Sequence, residues 1–130
     1  MAGEVPVGNG RLPNLATGLP LEFGGTGDQW SPETLLTAAV ADCFVLTFRA
    51  IAEASKLEWS SLRCRVVGVL DRRDALPQFV EFVIQAKLAV PATGNAARAE
   101  RLLGKAEASC LVTKSLKAPV RLEMSIQEAK

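Results

Sequence analysis

The 130-residue chain predicts an α+β fold in a single domain spanning residues 1–130. Three observations carry this: a long apolar helical run opening at SPETLL, two neighbouring period-two runs over 61–70 and 78–90, and a shorter amphipathic helical pattern ending near Cys110. With 48% of its residues hydrophobic, the chain can bury a real core.

Residues 1–30 are rich in Gly, Pro and Asn, with isolated apolar positions at Val5, Val7, Leu19, Leu21 and Phe23; they read as an edge strand or two and a loop. At SPETLL a helix begins. Ser31 can accept from the first free amides, Pro32 suits the first helical position, and Glu33 puts an anion in the first turn, where the helix dipole favours it. The helix should reach about Ser55. Leu35, Leu36, Ala39, Val40, Cys43, Phe44, Leu46, Phe48 and Ile51 surround its centre, which describes a helix buried on most sides. A domain of this size struggles to enclose such a helix alone, so a partner subunit is expected to supply part of its cover.

Period two then places Leu62, Cys64, Val66 and Leu70 on one face of a strand over 61–70, and Val80, Phe82, Ile84, Ala86, Leu88 and Val90 on one face of the next, over 78–90. The polar DRRDALP between them reads as a turn, which makes the pair an antiparallel hairpin. Pro91 to Asn95 breaks the chain. Asn95 reads as the N-cap of a second helix to about Cys110, with Leu102, Leu103, Ala106 and Cys110 on its buried stripe and Arg98, Glu100, Arg101 and Lys105 in solvent. A last strand alternates Val120, Leu122, Met124 and Ile126 with Arg121, Glu123, Ser125 and Gln127.

The net charge of +1, with acids and bases mixed, provides no field for nucleic acid. Asp42, Arg49 and Glu53 interrupt the longest uncharged runs, so no membrane span is expected, and the first residues lack a signal-like apolar stretch, which suggests the cytoplasm. There is no His and no Tyr, which removes Ser-His-Asp hydrolysis, Cys-His proteolysis and the usual zinc sites. The three cysteines, Cys43, Cys64 and Cys110, form no C-x-x-C pair, so no metal is expected. In a reducing compartment any disulfide here would be a working one.

Each thiol has a plain packing reading, because free cysteine behaves as a small hydrophobe. For Cys64, flanked by core residues of a strand, packing suffices. Cys110 differs, since it lies where an apolar stripe meets the polar TKSLK. Cys43 lies mid-helix, where the helix dipole has faded and burial raises a thiol's pKa. A reactive Cys43 therefore needs a cation, and without histidine that is Arg or Lys. Asp42 is about 100° away around the helix and need not oppose this; Glu33 is about 15 Å up the axis, able to hold an arginine that bridges the gap.

The segments GGTGDQWSPETLLTAAVADCF and AEASCLVTKSLK, whose cysteines are 67 positions apart, resemble the osmotically inducible protein C and organic hydroperoxide resistance (OsmC/Ohr) superfamily. The resemblance runs from about residue 11 and includes the order of strands and helices. It implies an OsmC-like fold, a long central helix and a second helix packed on antiparallel sheets, in an intertwined homodimer. It also implies a cofactor-free thiol peroxidase acting on organic hydroperoxides, in which Cys43 attacks the peroxide, Cys110 resolves the sulfenic acid to a disulfide, and a lipoyl-type or other dithiol reduces the enzyme. Glu33 would orient an arginine, for which Arg11 is the first choice and Arg49, Arg63 and Arg65 are alternatives. Phe44, Trp30 and Leu36 (or Leu35) would line an apolar substrate pocket. After Cys110 the chain reads Leu-Val-Thr where many members have Pro-x-Ser. The competing expectation is a non-catalytic dimer on the same scaffold that binds small molecules or senses redox state.

Overall fold

The computed structural model of the chain describes residues 3–5, 12–92 and 95–129. The chain divides into two compact units, residues 1–38 and 39–130. In the first unit the expected short strands are present as β1 (Gly3–Val5) and β2 (Leu15–Thr17), paired antiparallel. A 3-10 turn at Leu21–Phe23 follows and ends on Gly24, whose φ of 95° is left-handed. Gly25 comes so close to the Leu19 carbonyl that a Cβ there would lie 1.9 Å from the oxygen, so no other residue fits without moving the backbone.

Helix α1 runs from Pro32 to Ala54 and begins as the sequence dictates. The Thr34 amide donates to Ser31 Oγ at 3.1 Å and the Ser31 amide donates to Thr34 Oγ1 at 2.8 Å, a reciprocal cap in which a threonine occupies the place a glutamate or glutamine usually takes. The far end closes as a Schellman turn. Lys56 adopts a left-handed φ of 55°, and the Lys56 and Leu57 amides return to the Glu53 and Ala52 carbonyls at 3.1 and 2.9 Å.

Only one stripe of α1, Val40, Phe44, Phe48 and Ala52, is fully buried; the four-residue spacing puts all of them on one face. Burial on most sides is therefore not achieved within the chain, where Leu46 remains 51% exposed. α1 also has the length and composition that would cross a membrane, despite its charges, contrary to the charge-based expectation.

In the second unit, β3 (Ser61–Arg73) and β4 (Leu76–Val90) form the expected antiparallel hairpin, but both strands are longer than the patterning suggested. DRRDALP is not a broad loop. Asp74 and Ala75 alone make the turn, with φ of 52° and 65°, the two left-handed residues that match the twist of a tight hairpin. A register shift at Val69/Leu70 places Leu70 opposite Phe79 rather than Val80, which corrects the simple alternation at that end. Phe79 and Phe82 then stack with ring centroids 4.7 Å apart.

Helix α2 (Ala96–Ala108) buries Ala99, Leu103 and Ala106. It stops before Cys110, where a separate short helix, α3 (Leu111–Lys114), begins. Strand β5 (Val120–Glu128) then joins β4 in parallel, giving the sheet order β3-β4-β5. The sheet is thus mixed rather than purely antiparallel, because the α2–α3 crossover carries the chain back to the starting edge. Arg98 of α2 donates to the Ser55 carbonyl, satisfying an orphan acceptor at the C-terminal end of α1 with a cation. Leu57 is buried beyond that end, and Trp59 packs edge-on against Phe48 at 5.5 Å.

Candidate active site

The junction between α2 and α3 builds the site. Ser109 closes α2, and Cys110 then turns extended, with φ −69° and ψ 114°, so that it becomes the N-cap of α3 instead of the last residue of α2. A short helix leaves its first amides unpaired within its own backbone, and here they meet sulfur. The Val112 and Leu111 amides donate to Cys43, which reaches them from the middle of α1. Thr113 turns both its amide and its hydroxyl toward Cys110. The two thiols meet as well: Cys110 donates toward Cys43, and both are free.

Burial pushes the Cys43 thiol up, but the opposing donors win: the Val112 amide, the Cys110 thiol, the Thr47 hydroxyl 3.9 Å away and the Leu111 amide together hold it below the ordinary thiol value of 9.0. Cys110 moves the opposite way. Its complete burial and the neighbouring Cys43 raise its pKa against the help of Thr113. The two thiols of the pair are therefore shifted in opposite directions. Cys64 stands apart, half-buried on β3 at the cavity over the sheet, with its pKa pushed up to about 11 by burial.

The cation expected near Cys43 is not among the groups acting on it; among the described residues its charge is supported by hydrogen-bond donors alone. Arg49, Arg63 and Arg65 are exposed. The latter two, with Lys87, Gln85 and Glu123, edge a shallow cavity of about 860 Å³ over the sheet that includes neither Cys43 nor Cys110. Asp42 is exposed. Arg11 lies outside the described residues. In the first unit, Glu33 keeps one carboxylate oxygen, Oε2, buried with no partner among the described residues, while its carbonyl accepts from the Thr37 hydroxyl at 2.9 Å. Trp30 is 48% exposed and bridges to Thr17, Leu36 is half-buried, and Phe44 is completely buried in the stripe of α1.

Sequence reasoning missed the Leu111 and Val112 amides, Thr47 and Thr113. The signals were present. Thr47 is one helical turn from Cys43, and Thr113 stands three residues after Cys110, the spacing between an N-cap and the amide it accepts from. Reading Cys110 as a helix end concealed both α3 and its amides.

The family model described as OsmC-like protein matches residues 25–125. An uncharacterised protein of Bacillus subtilis (strain 168), YmaD, is 26% identical over 116 residues, covering 85% of this chain and 77% of that protein. An OsmC-like protein of unknown function from Vibrio cholerae is similar in fold, with a TM-score of 0.79 at 18% identity over 87% of this chain and 78% of that one. So is an organic hydroperoxide resistance protein OsmC from Legionella pneumophila, with a TM-score of 0.71 at 24% identity over 98% and 95% of the two chains. An organic hydroperoxide resistance protein from Elizabethkingia anophelis gives 0.74 at 17% identity over 99% and 96%.

Proposed function

Because the chain belongs to the OsmC-like protein family, we propose that it is a cysteine-based peroxidase that reduces organic hydroperoxides through a two-cysteine cycle. The Cys43 thiolate attacks one peroxide oxygen, the O–O bond breaks, and the departing alkoxide takes a proton to leave as the alcohol, with Cys43 left as a sulfenic acid. The Cys110 sulfur then attacks the Cys43 sulfur. The S–O bond breaks, water leaves, and a disulfide remains that an external dithiol reduces at its own expense. The observation that supports this reading best is the meeting of two cysteines 67 positions apart, one with its pKa lowered and the other with its pKa raised beside it.

The unpartnered Glu33 oxygen supports the remaining assignment. A buried carboxylate oxygen calls for a donor, and Arg11 is the one Arg or Lys in residues 1–38. We assign Arg11 to that carboxylate. The chain would work in the reducing cytoplasm as a homodimer, with a dithiol of the lipoyl or a similar type as reductant.

The test mixes purified protein with an alkyl hydroperoxide and a dithiol and measures alcohol released. Wild type is expected to turn over, Cys43→Ser to release none, and Cys110→Ser to oxidise Cys43 without closing a disulfide. Intact mass after one equivalent of peroxide should fall by two hydrogens in wild type. Turnover that survives Cys43→Ser, or a wild-type mass that does not change, would end the peroxidase reading; the latter leaves a binding module on the same scaffold.

A further inference from the structure

We infer that Thr113 readies Cys110 for the disulfide-forming step: its hydroxyl donates to the Cys110 carbonyl while that thiol is protonated, and turns to the Cys110 sulfur as the proton leaves. The inference rests on the two-cysteine reading for its place in the cycle, although the contacts themselves do not.

Four observations carry it. Thr113 is buried and Cys110 completely so, which leaves water little part in solvating this sulfur. The Thr113 hydroxyl donates to the Cys110 carbonyl at 3.1 Å and also lies beside the Cys110 sulfur, so one rotation about the side chain changes its acceptor. The carbonyl does not need it, because the Lys114 amide donates there as well, at 3.1 Å. Finally, Cys110 is the extended N-cap residue of α3 and its sulfur makes no capping hydrogen bond there, which leaves the sulfur open to the one donor that can turn to it. The hydroxyl is thus the adjustable donor.

The sequence of charges explains why an adjustable donor matters. While Cys43 is a thiolate, a second anion beside it is unfavourable, and the Cys110 proton is better kept between the sulfurs. Attack on peroxide turns Cys43 into a neutral sulfenic acid. Both effects of Cys43 on Cys110 then lapse, and only burial opposes the thiolate, against Thr113. At that moment the hydroxyl gains by turning.

The experiment compares reduced full-length wild type, Thr113→Val and Thr113→Ser. Each is mixed with an alkyl hydroperoxide, quenched with acid at intervals, and read by intact mass for sulfenic acid and disulfide across a range of pH. Thr113→Val keeps the shape and loses the hydroxyl. It is expected to form the sulfenic acid at the wild-type rate, to close the disulfide about tenfold more slowly, the effect of one lost hydrogen bond, and to shift the pH midpoint of closure upward. Thr113→Ser should close within about threefold of wild type, since its hydroxyl can donate equally.

Wild-type closure and pH profile in Thr113→Val would overturn the inference, as would Thr113→Ser being as slow as Thr113→Val. Should Thr113→Val fail to fold by circular dichroism, Thr113→Ala is read in its place with the same outcomes. A parallel series uses a diazenedicarboxamide: Cys43 adds across its N=N bond and Cys110 displaces the resulting hydrazine, so the diazene is reduced as the thiols are oxidised. If peroxide oxidises no variant but diazene closes the pair with the same order of rates, the peroxidase reading falls and the role of Thr113 stands.

Discussion

Among the described residues, the groups that lower the pKa of Cys43 carry no formal charge. Two backbone amides, a thiol and a hydroxyl outweigh the penalty of burial, so the thiolate should form below the 9.0 of an ordinary cysteine. Rates of alkylation by iodoacetamide, followed by peptide mapping against pH, should therefore show Cys43 reacting first, with a midpoint under 9.0, and Cys64 last, near 11. Cys110→Ala removes a donor and should raise the Cys43 midpoint. For Cys64 the shift has a consequence for stability with the opposite sign. Its raised pKa favours the fold below 9.0, the unfolded thiol's value, and that contribution is lost as pH rises toward about 11. Urea unfolding of wild type and Cys64→Ala across this window should show a larger alkaline loss in wild type; equal losses would mean that burial of this thiol is unimportant. Cys43 could be singled out in the sequence, but the donors that lower its pKa could not. Backbone amides are the same in every residue, so only the path of the chain shows where they point.

At the scale of elements, what carried over from the sequence was whatever depended on period and caps: the start of α1 at Ser31–Pro32, the β3–β4 hairpin and the buried stripe of α2. What did not depended on single backbone torsions. The turn at Asp74–Ala75, the register shift at Val69/Leu70 and the extended Cys110 each follow from one or two residues whose composition is unremarked by periodicity. The break at Cys110 matters most, because it creates the amides that serve Cys43. It also makes Leu111→Pro an informative change. Leu111 is exposed and occupies the first helical position, which proline favours, and Cys110 before it already has the extended ψ of 114° that proline requires of its predecessor. Stability should change little in thermal melts, because the gain from a proline whose geometry is already met is offset by the loss of the Leu111 amide's bond to Cys43. The Leu111 amide is lost with it, so the Cys43 alkylation midpoint should rise, though less than it would without the Val112 amide, which acts more strongly. A midpoint identical to wild type would remove Leu111 from the site.

For the molecule as a whole, the question is what covers α1. Only 22% of its most apolar stretch is fully buried by the chain itself, most of the rest is half-buried, and Leu46 is exposed. A bilayer fits poorly, because Asp42 is exposed near the middle of the helix and a carboxylate at the centre of a membrane costs about 2.5–3.5 kcal/mol. A second copy of the chain is the better occupant: its own α1 presents the same surface, and polar residues such as Asp42 and Arg49 can sit at the rim of the contact. Sedimentation of wild type should therefore give twice the 13.8 kDa of one chain. Leu46, 51% exposed, is the apolar side chain of α1 to change, and Leu46→Glu should lower the mass to that of one chain or drive the protein into aggregates, because a buried carboxylate in a symmetric contact meets its own copy. Wild type that stays at the mass of one chain at tens of micromolar would exclude the dimer, and wild type that floats with lipid vesicles would return α1 to the membrane.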